Sequence, residues 1–248
     1  MIHIEKKHSI TIIKMQRPER KNAVHREMAQ ALEKAFVDFE ADASSNVAIL
    51  TGTSDCFCAG ADLKAISQGN PNRLSEEGPG PMGPTRMLLR KPVIAAIAGY
   101  AVAGGLELAL WCDLRVVEED AILGVFCRKW GVPLIDGGTV RLPRLIGLSR
   151  ALDLILTGRE VRAQEALQIG LANRVVPKGE SLNKALEIAI QLSKFPQNAL
   201  RSDRENAYKQ FSAPLPVAIR NEFKTGFEYC ISNNEIKIAA DGFVKRKQ

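Results

Sequence analysis

The chain has 248 residues, 46% of them hydrophobic and 25% charged, with a formal net charge of +6. That length supports one sizeable core, or a core with an appendage; no apolar run approaches the ~20 residues that cross a bilayer, and Met1–Lys7 lacks a signal-peptide core, so a cytoplasmic protein is expected. The charge favours anionic partners, but the basic residues are scattered, with one short cluster at Lys245-Arg246-Lys247 and no aromatic-interleaved stripe, so nucleic acid is a weaker expectation than a polyphosphate-bearing small molecule.

In chain order, Ile10–Ile13 reads as a first strand. Met28, Leu32, Ala35, Phe36 and Phe39 follow helical spacing and predict an amphipathic helix over 25–41. Val47–Leu50 is an apolar run of strand type, followed by the turn Phe57-Cys58-Ala59-Gly60-Ala61-Asp62-Leu63. Eight of the nineteen residues from 66 to 84 are glycine or proline, which predicts an irregular, mobile loop that either lids a site or has no order of its own. A short helix near 85–90 leads to a strand at 93–97. A second glycine turn, Gly99-Tyr100-Ala101-Val102-Ala103-Gly104-Gly105, opens an apolar helix to about residue 111. A strand at 114–117 follows, then a turn and helix from Gly137-Gly138 to Ile146, and helices near 149–156, 162–169 and 181–194. This run of strands and helices predicts a mixed α/β layered domain over 1–195. Beyond Phe195-Pro196 the pattern is helical, with Leu215, Ile219, Phe223 and Phe227 every four residues, so 196–248 is expected to be a helical appendage.

The five cysteines (56, 58, 112, 127 and 230) are odd in number and form no regular framework, so they read as reduced thiols. Cys56-x-Cys58 has no second Cys/His cluster with which to build a zinc site, and no metal is expected. The three histidines lie at 3, 8 and 25, away from the glycine turns, which disfavours a Ser-His-Asp hydrolase.

The two glycine turns are the main chemical signal. The first N–H groups of a helix have no partner within it, the helix dipole adds positive charge there, and small residues let a ligand approach the backbone. Gly104 and Glu107 are three apart and share a helix face, so an amide and a carboxylate can meet one substrate. Either turn alone is explained as well by close helix–sheet packing; the pair with Glu107 favours an anion-stabilising site.

The segments 57–63 and 99–108, with Trp111-Cys112-Asp113 just beyond, resemble the two signature segments of the enoyl-CoA hydratase/isomerase (crotonase) superfamily. Arg17-Pro18-Glu19-Arg20-Lys21-Asn22-Ala23 resembles its N-terminal motif, and Gly131–Gly147 and Ala163–Val176 its later stretches. The resemblance implies a spiral of ββα units over 1–195 and a C-terminal helical region over 196–248 that packs in trimers or hexamers. It implies an acyl-CoA substrate, with coenzyme A entering as part of that substrate and no separate cofactor. It places oxyanion donors at the backbone N–H groups of Ala59 and Gly104, and the CoA moiety along Ala61, Asp62 and Leu63 near Ala23, with Arg20 and Lys21 toward its phosphates.

By the same resemblance Glu107 matches the first catalytic glutamate of the hydratases, a carboxylate able to hold and deprotonate water. Its apolar flanks favour burial and a raised pKa. The second hydratase glutamate is replaced: ungapped alignment puts Cys127 there, a poorer proton donor. Asp136, before Gly137-Gly138, either serves as a catalytic carboxylate, as in some relatives, or caps the next helix. Three functions are therefore expected in order: an enoyl-CoA hydratase, an enoyl-CoA isomerase, and a non-catalytic acyl-CoA-binding relative.

Overall fold

A computed structural model describes residues 1–231 and 235–245; Arg246 and Lys247 of the basic cluster lie outside the described residues. Two sheets organise the chain. The larger has strand order β1-β2-β3-β5-β7-β10, formed by Ile2–Lys7, Ile10–Met15, Val47–Thr51, Val93–Ile97, Leu114–Glu118 and Arg174–Val176. Its first pair is antiparallel and the rest are parallel. The smaller has order β4-β6-β8-β9, formed by Cys56–Cys58, Tyr100–Val102, Ile122–Gly124 and Val161–Arg162.

The connectivity repeats. β3 passes to β4 and then to helix α2 (Leu63–Ser67). β5 passes to β6 and then to α3 (Gly104–Trp111). β7 passes to β8, a short 3-10 segment, and then α4 (Gly138–Ile146). Each ββα unit places one strand in each sheet, and successive units stack in parallel register. This is the spiral of ββα units that the family resemblance implies.

The apolar strand runs exist because the large sheet is covered on both faces. Every residue of β3 and of β5 is buried. One face meets the main core, where α1 (Arg26–Ala41) contributes Met28, Leu32, Phe36 and Phe39. The other packs Ile12, Ile49, Ile94 and Val116 against α7 (Ser181–Ser193) through Ala185 and Ala189. Helices α5 (Leu148–Thr157) and α6 (Ala163–Gln168) complete the spiral.

The chain then continues as α8 (Gln197–Lys209), α9 (Leu215–Gly226) and α10 (Glu235–Lys245). α8 docks back on the core: Arg204 Nε donates to Asp113 Oδ1 at 2.9 Å, Tyr208 Oη donates to the same oxygen at 2.7 Å, and Arg201 donates to Asn46.

Two local expectations are corrected. The helix near 85–90 is only a 3-10 turn, Pro84–Arg86, because Met87 returns to extended backbone. The 66–84 segment is irregular, yet it is anchored: Asn72 and Met82 are buried, and the Asn72 amide donates to the carbonyls of Val24 and Pro81.

Candidate active site

The two glycine turns converge. Gly60 has φ +101°, open to glycine at little cost, and a Cβ built there would lie 2.9 Å from the Gly104 nitrogen. A Cβ on Gly105 would lie 2.0 Å from the Cys58 carbonyl oxygen. Side chains at either place would push the turns apart. Between them Ala103 holds φ +52° and ψ −128°, a sparsely populated conformation costing roughly 1–3 kcal/mol. It sits at the N-cap of α3 and sets where that helix starts.

A cavity of about 370 Å³ opens at this junction. Ala61, Gly104, Glu107, Cys127 and Asp136 line it, with Met82, Phe126 and Trp130 among its apolar walls. The expected pair of amides needs one correction. The Ala59 N–H is already spent on the Lys21 carbonyl at 3.0 Å, so Ala59 has no donor to offer a ligand. Among the described residues no hydrogen bond uses the N–H of Ala61, two residues on, or that of Gly104. The unclaimed amide in the first turn is therefore Ala61's.

Glu107 lies on the first turn of α3 and is buried. Its Oε1 accepts from the Gly138 N–H at 2.8 Å and the Asp136 N–H at 3.0 Å, so it occupies the N-terminus of α4, where an anion is favoured. Burial outweighs that help and the charge of nearby Asp136 adds to it, pushing Glu107 up to about 7. A carboxylate near 7 is half ionised at neutral pH, the poise a general base needs.

Asp136 is also buried, and burial raises its pKa against the pull of its donors. Its Oδ1 accepts from the Met82 N–H at 2.9 Å and from the Thr85 hydroxyl. Those bonds bear on the capping reading of Asp136. Its carboxylate faces the end of the 66–84 segment and does not cap α4, whose N-cap residue is Gly137; the Glu107 carboxylate takes the Gly138 N–H instead. Cys127 lines the same cavity, its thiol held up by burial and then by the Glu107 charge.

The remaining expected residues divide. Leu63 lines the cavity beside Ala61. The Asp62 carboxylate is committed elsewhere: it caps α2 through the N–H groups of Lys64 and Ala65 and pairs with Arg17 at 2.7 Å. Although burial opposes it, Arg17 and those amides hold Asp62 below the usual carboxylate range. Those bonds hold the turn in place, and Asp62 also borders the cleft that Arg20 lines. Arg20 is exposed on a 250 Å³ cleft shared with Arg17, His25 and Lys64. The Lys21 ammonium lies over the Tyr100 ring, 5.4 Å from its centroid. Ala23 lines neither cleft; its carbonyl accepts from Arg17. Sequence reasoning missed Thr85 and Met82, which no local pattern connects to residue 136.

The sequence profile described as "Enoyl-CoA hydratase/isomerase" matches residues 5–248, and the chain belongs to that family. It is 39% identical over 213 residues to enoyl-CoA hydratase EchA19 of Mycobacterium tuberculosis, covering 82% of this chain and 79% of that one. It is 31% identical to the short-chain-enoyl-CoA hydratase of Clostridium acetobutylicum, covering 99% and 95%. Among solved structures, enoyl-CoA hydratase EchA1 from Mycobacterium marinum superposes with a TM-score of 0.93 at 33% identity, covering 99% of this chain and 96% of that one.

Proposed function

We propose that this protein adds water across 2-enoyl-CoA thioesters, with the thioester carbonyl oxygen received by the N–H groups of Ala61 and Gly104. One observation carries the reading: a buried carboxylate poised near neutral pH, Glu107, shares a cavity with two unclaimed amides on converging turns. Glu107 takes a proton from water as the water oxygen bonds to C3. The C2–C3 π electrons move into the thioester, leaving an enolate oxygen that the two amides stabilise; donors of this kind are worth roughly 2.7–4 kcal/mol each. C2 then takes a proton, from Asp136 or from Glu107.

Isomerisation is the second reading, and Cys127 favours it. A thiol stands where the family's second glutamate is expected, so the acids available are Glu107 and Asp136. Either can carry a proton between carbons of the acyl chain with no water added.

CoA enters as part of the substrate, its phosphates near Arg20 and Lys21. Self-association as a trimer or hexamer through 196–248 is supported by the exposed Leu215, Ile219 and Phe223 of α9 and Ile236, Ile238 and Phe243 of α10, since apolar faces of this kind are usually covered; sedimentation at micromolar concentration tests it, and a monomer would refute it. A cytoplasmic location is supported by Cys56, Cys58, Cys112 and Cys127, which are buried free thiols. No described helix is long and apolar enough to cross a membrane.

The deciding experiment incubates the protein with a panel of enoyl-CoA thioesters in heavy water. A mass gain with deuterium at C2 marks hydration, exchange with a moved double bond marks isomerisation, and unchanged thioesters leave only binding.

A further inference from the structure

A second cavity, of about 630 Å³, lies on the other side of the segment leading into α4. Ile135 borders both cavities and is 42% exposed, so the two openings meet at this side chain. The volume falls within the range of small-molecule sites. Leu88, Leu110, Trp111, Leu134 and Phe211 supply apolar surface.

The charge of this cavity is lopsided. Arg86, Arg115, Arg141, Arg144 and Arg204 line it, against one acidic residue, Asp113. Asp113 is taken by Arg204 at 2.9 Å. Arg86 and Arg141 donate to main-chain carbonyls, and Arg115 to carbonyls and the Asn173 amide oxygen. Those acceptors satisfy the N–H groups without cancelling the charge. Arg144 is exposed at the mouth of the cavity, and its side chain makes no hydrogen bond or ion pair among the described residues; its guanidinium lies 4.4 Å from the Phe211 ring centroid. Low-dielectric walls concentrate such a field and draw in anions.

We propose, building on the acyl-thioester reading above, that the acyl group runs past Ile135 into this cavity and ends there in a carboxylate received by Arg144. The substrates are then acyl-CoA thioesters whose acyl chain bears a remote carboxylate. A hydrocarbon end would leave the field of the arginines unanswered, whereas a carboxylate matches the planar fork of a guanidinium.

The test uses two saturated thioesters of equal length that cannot react, octanoyl-CoA and the mono-CoA thioester of octanedioic acid, titrated calorimetrically at low salt. The dioic thioester is expected to bind about threefold to fivefold tighter at low salt, the scale of one exposed ion pair. Arg144→Gln is expected to erase the difference and Arg144→Lys to restore part of it, both with unchanged turnover of crotonyl-CoA, which has no tail to place there. Equal affinity for the two thioesters, or an Arg144→Gln variant that weakens both alike, overturns the proposal. Discrimination between them without turnover of any enoyl-CoA would keep the tail site and sink the hydratase reading. Crotonyl-CoA turnover without discrimination would do the opposite.

Discussion

Replacing Glu107 by glutamine should stop the chemistry and stabilise the fold at alkaline pH. Glu107 titrates at about 7 in the folded protein, against an ordinary value of 4.5, chiefly because it is buried. A raised carboxylate means the folded state holds its proton more tightly than the unfolded chain does. Stability from this group is complete below about 4.5 and is lost as pH rises through about 7. Between pH 5 and 8.5 the linkage relation gives a loss of roughly 2–3 kcal/mol from this side chain alone. Glutamine keeps the acceptor oxygen for the N–H groups of Asp136 and Gly138 and has no charge to desolvate. The repulsion from the Asp136 charge, part of what raises Glu107, disappears with it. Urea unfolding of both proteins at fixed concentration, at pH 5 and at pH 8.5, measures the difference. The variant should gain about 2–3 kcal/mol on the parent across that interval while hydrating no enoyl-CoA. Stability curves that run parallel in pH would refute the desolvation argument, and full activity would remove Glu107 from the mechanism.

Gly104→Pro deletes the N–H at the first position of α3 and also strains the turn against Met82 and Gly60; kcat should fall by at least about 10²–10³, and steady-state rates equal to the parent would exclude that amide as a donor. Ala61→Pro should have a comparable effect, since the amide of Ala59 is already occupied; an active Ala61→Pro enzyme would return the search to other donors. Gly105→Ala drives a methyl to 2.0 Å from the Cys58 carbonyl and should cost on the order of 1–3 kcal/mol by overpacking, read as a lowered thermal midpoint; an unchanged midpoint would mean the turns separate freely. Cys127→Glu should raise hydration of short enoyl-CoA substrates if a carboxylate at that position is what the reaction lacks; no gain would favour isomerisation. Its new charge beside Glu107 should also move the rising limb of the pH–rate profile upward, seen by assaying from pH 5.5 to 9.

Much of this architecture was legible because burial leaves a pattern. The doubly covered strands at 47–51 and 93–97 are continuous apolar runs, and α1 carries a clean apolar stripe. β4, β6, β8 and β9 were not legible: each is two or three residues long, too short to show any period, and two are embedded in the glycine turns. β1 escaped for another reason, since as an edge strand with five exposed residues it has no inward face to mark. Glu107 followed from its spacing to Gly104. The first amide was misplaced by two residues because Ala59, Gly60 and Ala61 are equally small. What separates them is a carbonyl at Lys21, far back in the chain, that claims one N–H and leaves another.

The bonds from Met82 and Thr85 to Asp136 tie the roof of the reaction chamber to one of its acids. Mutating that residue cannot be a purely chemical experiment: Asp136→Ala would unfasten the covering segment as it removed the proton carrier proposed above. Kinetic defects in such a variant will mix lost chemistry with lost enclosure. A threonine-to-valine change at 85, which loosens the fastening and keeps the acid, is the control that tells the two apart.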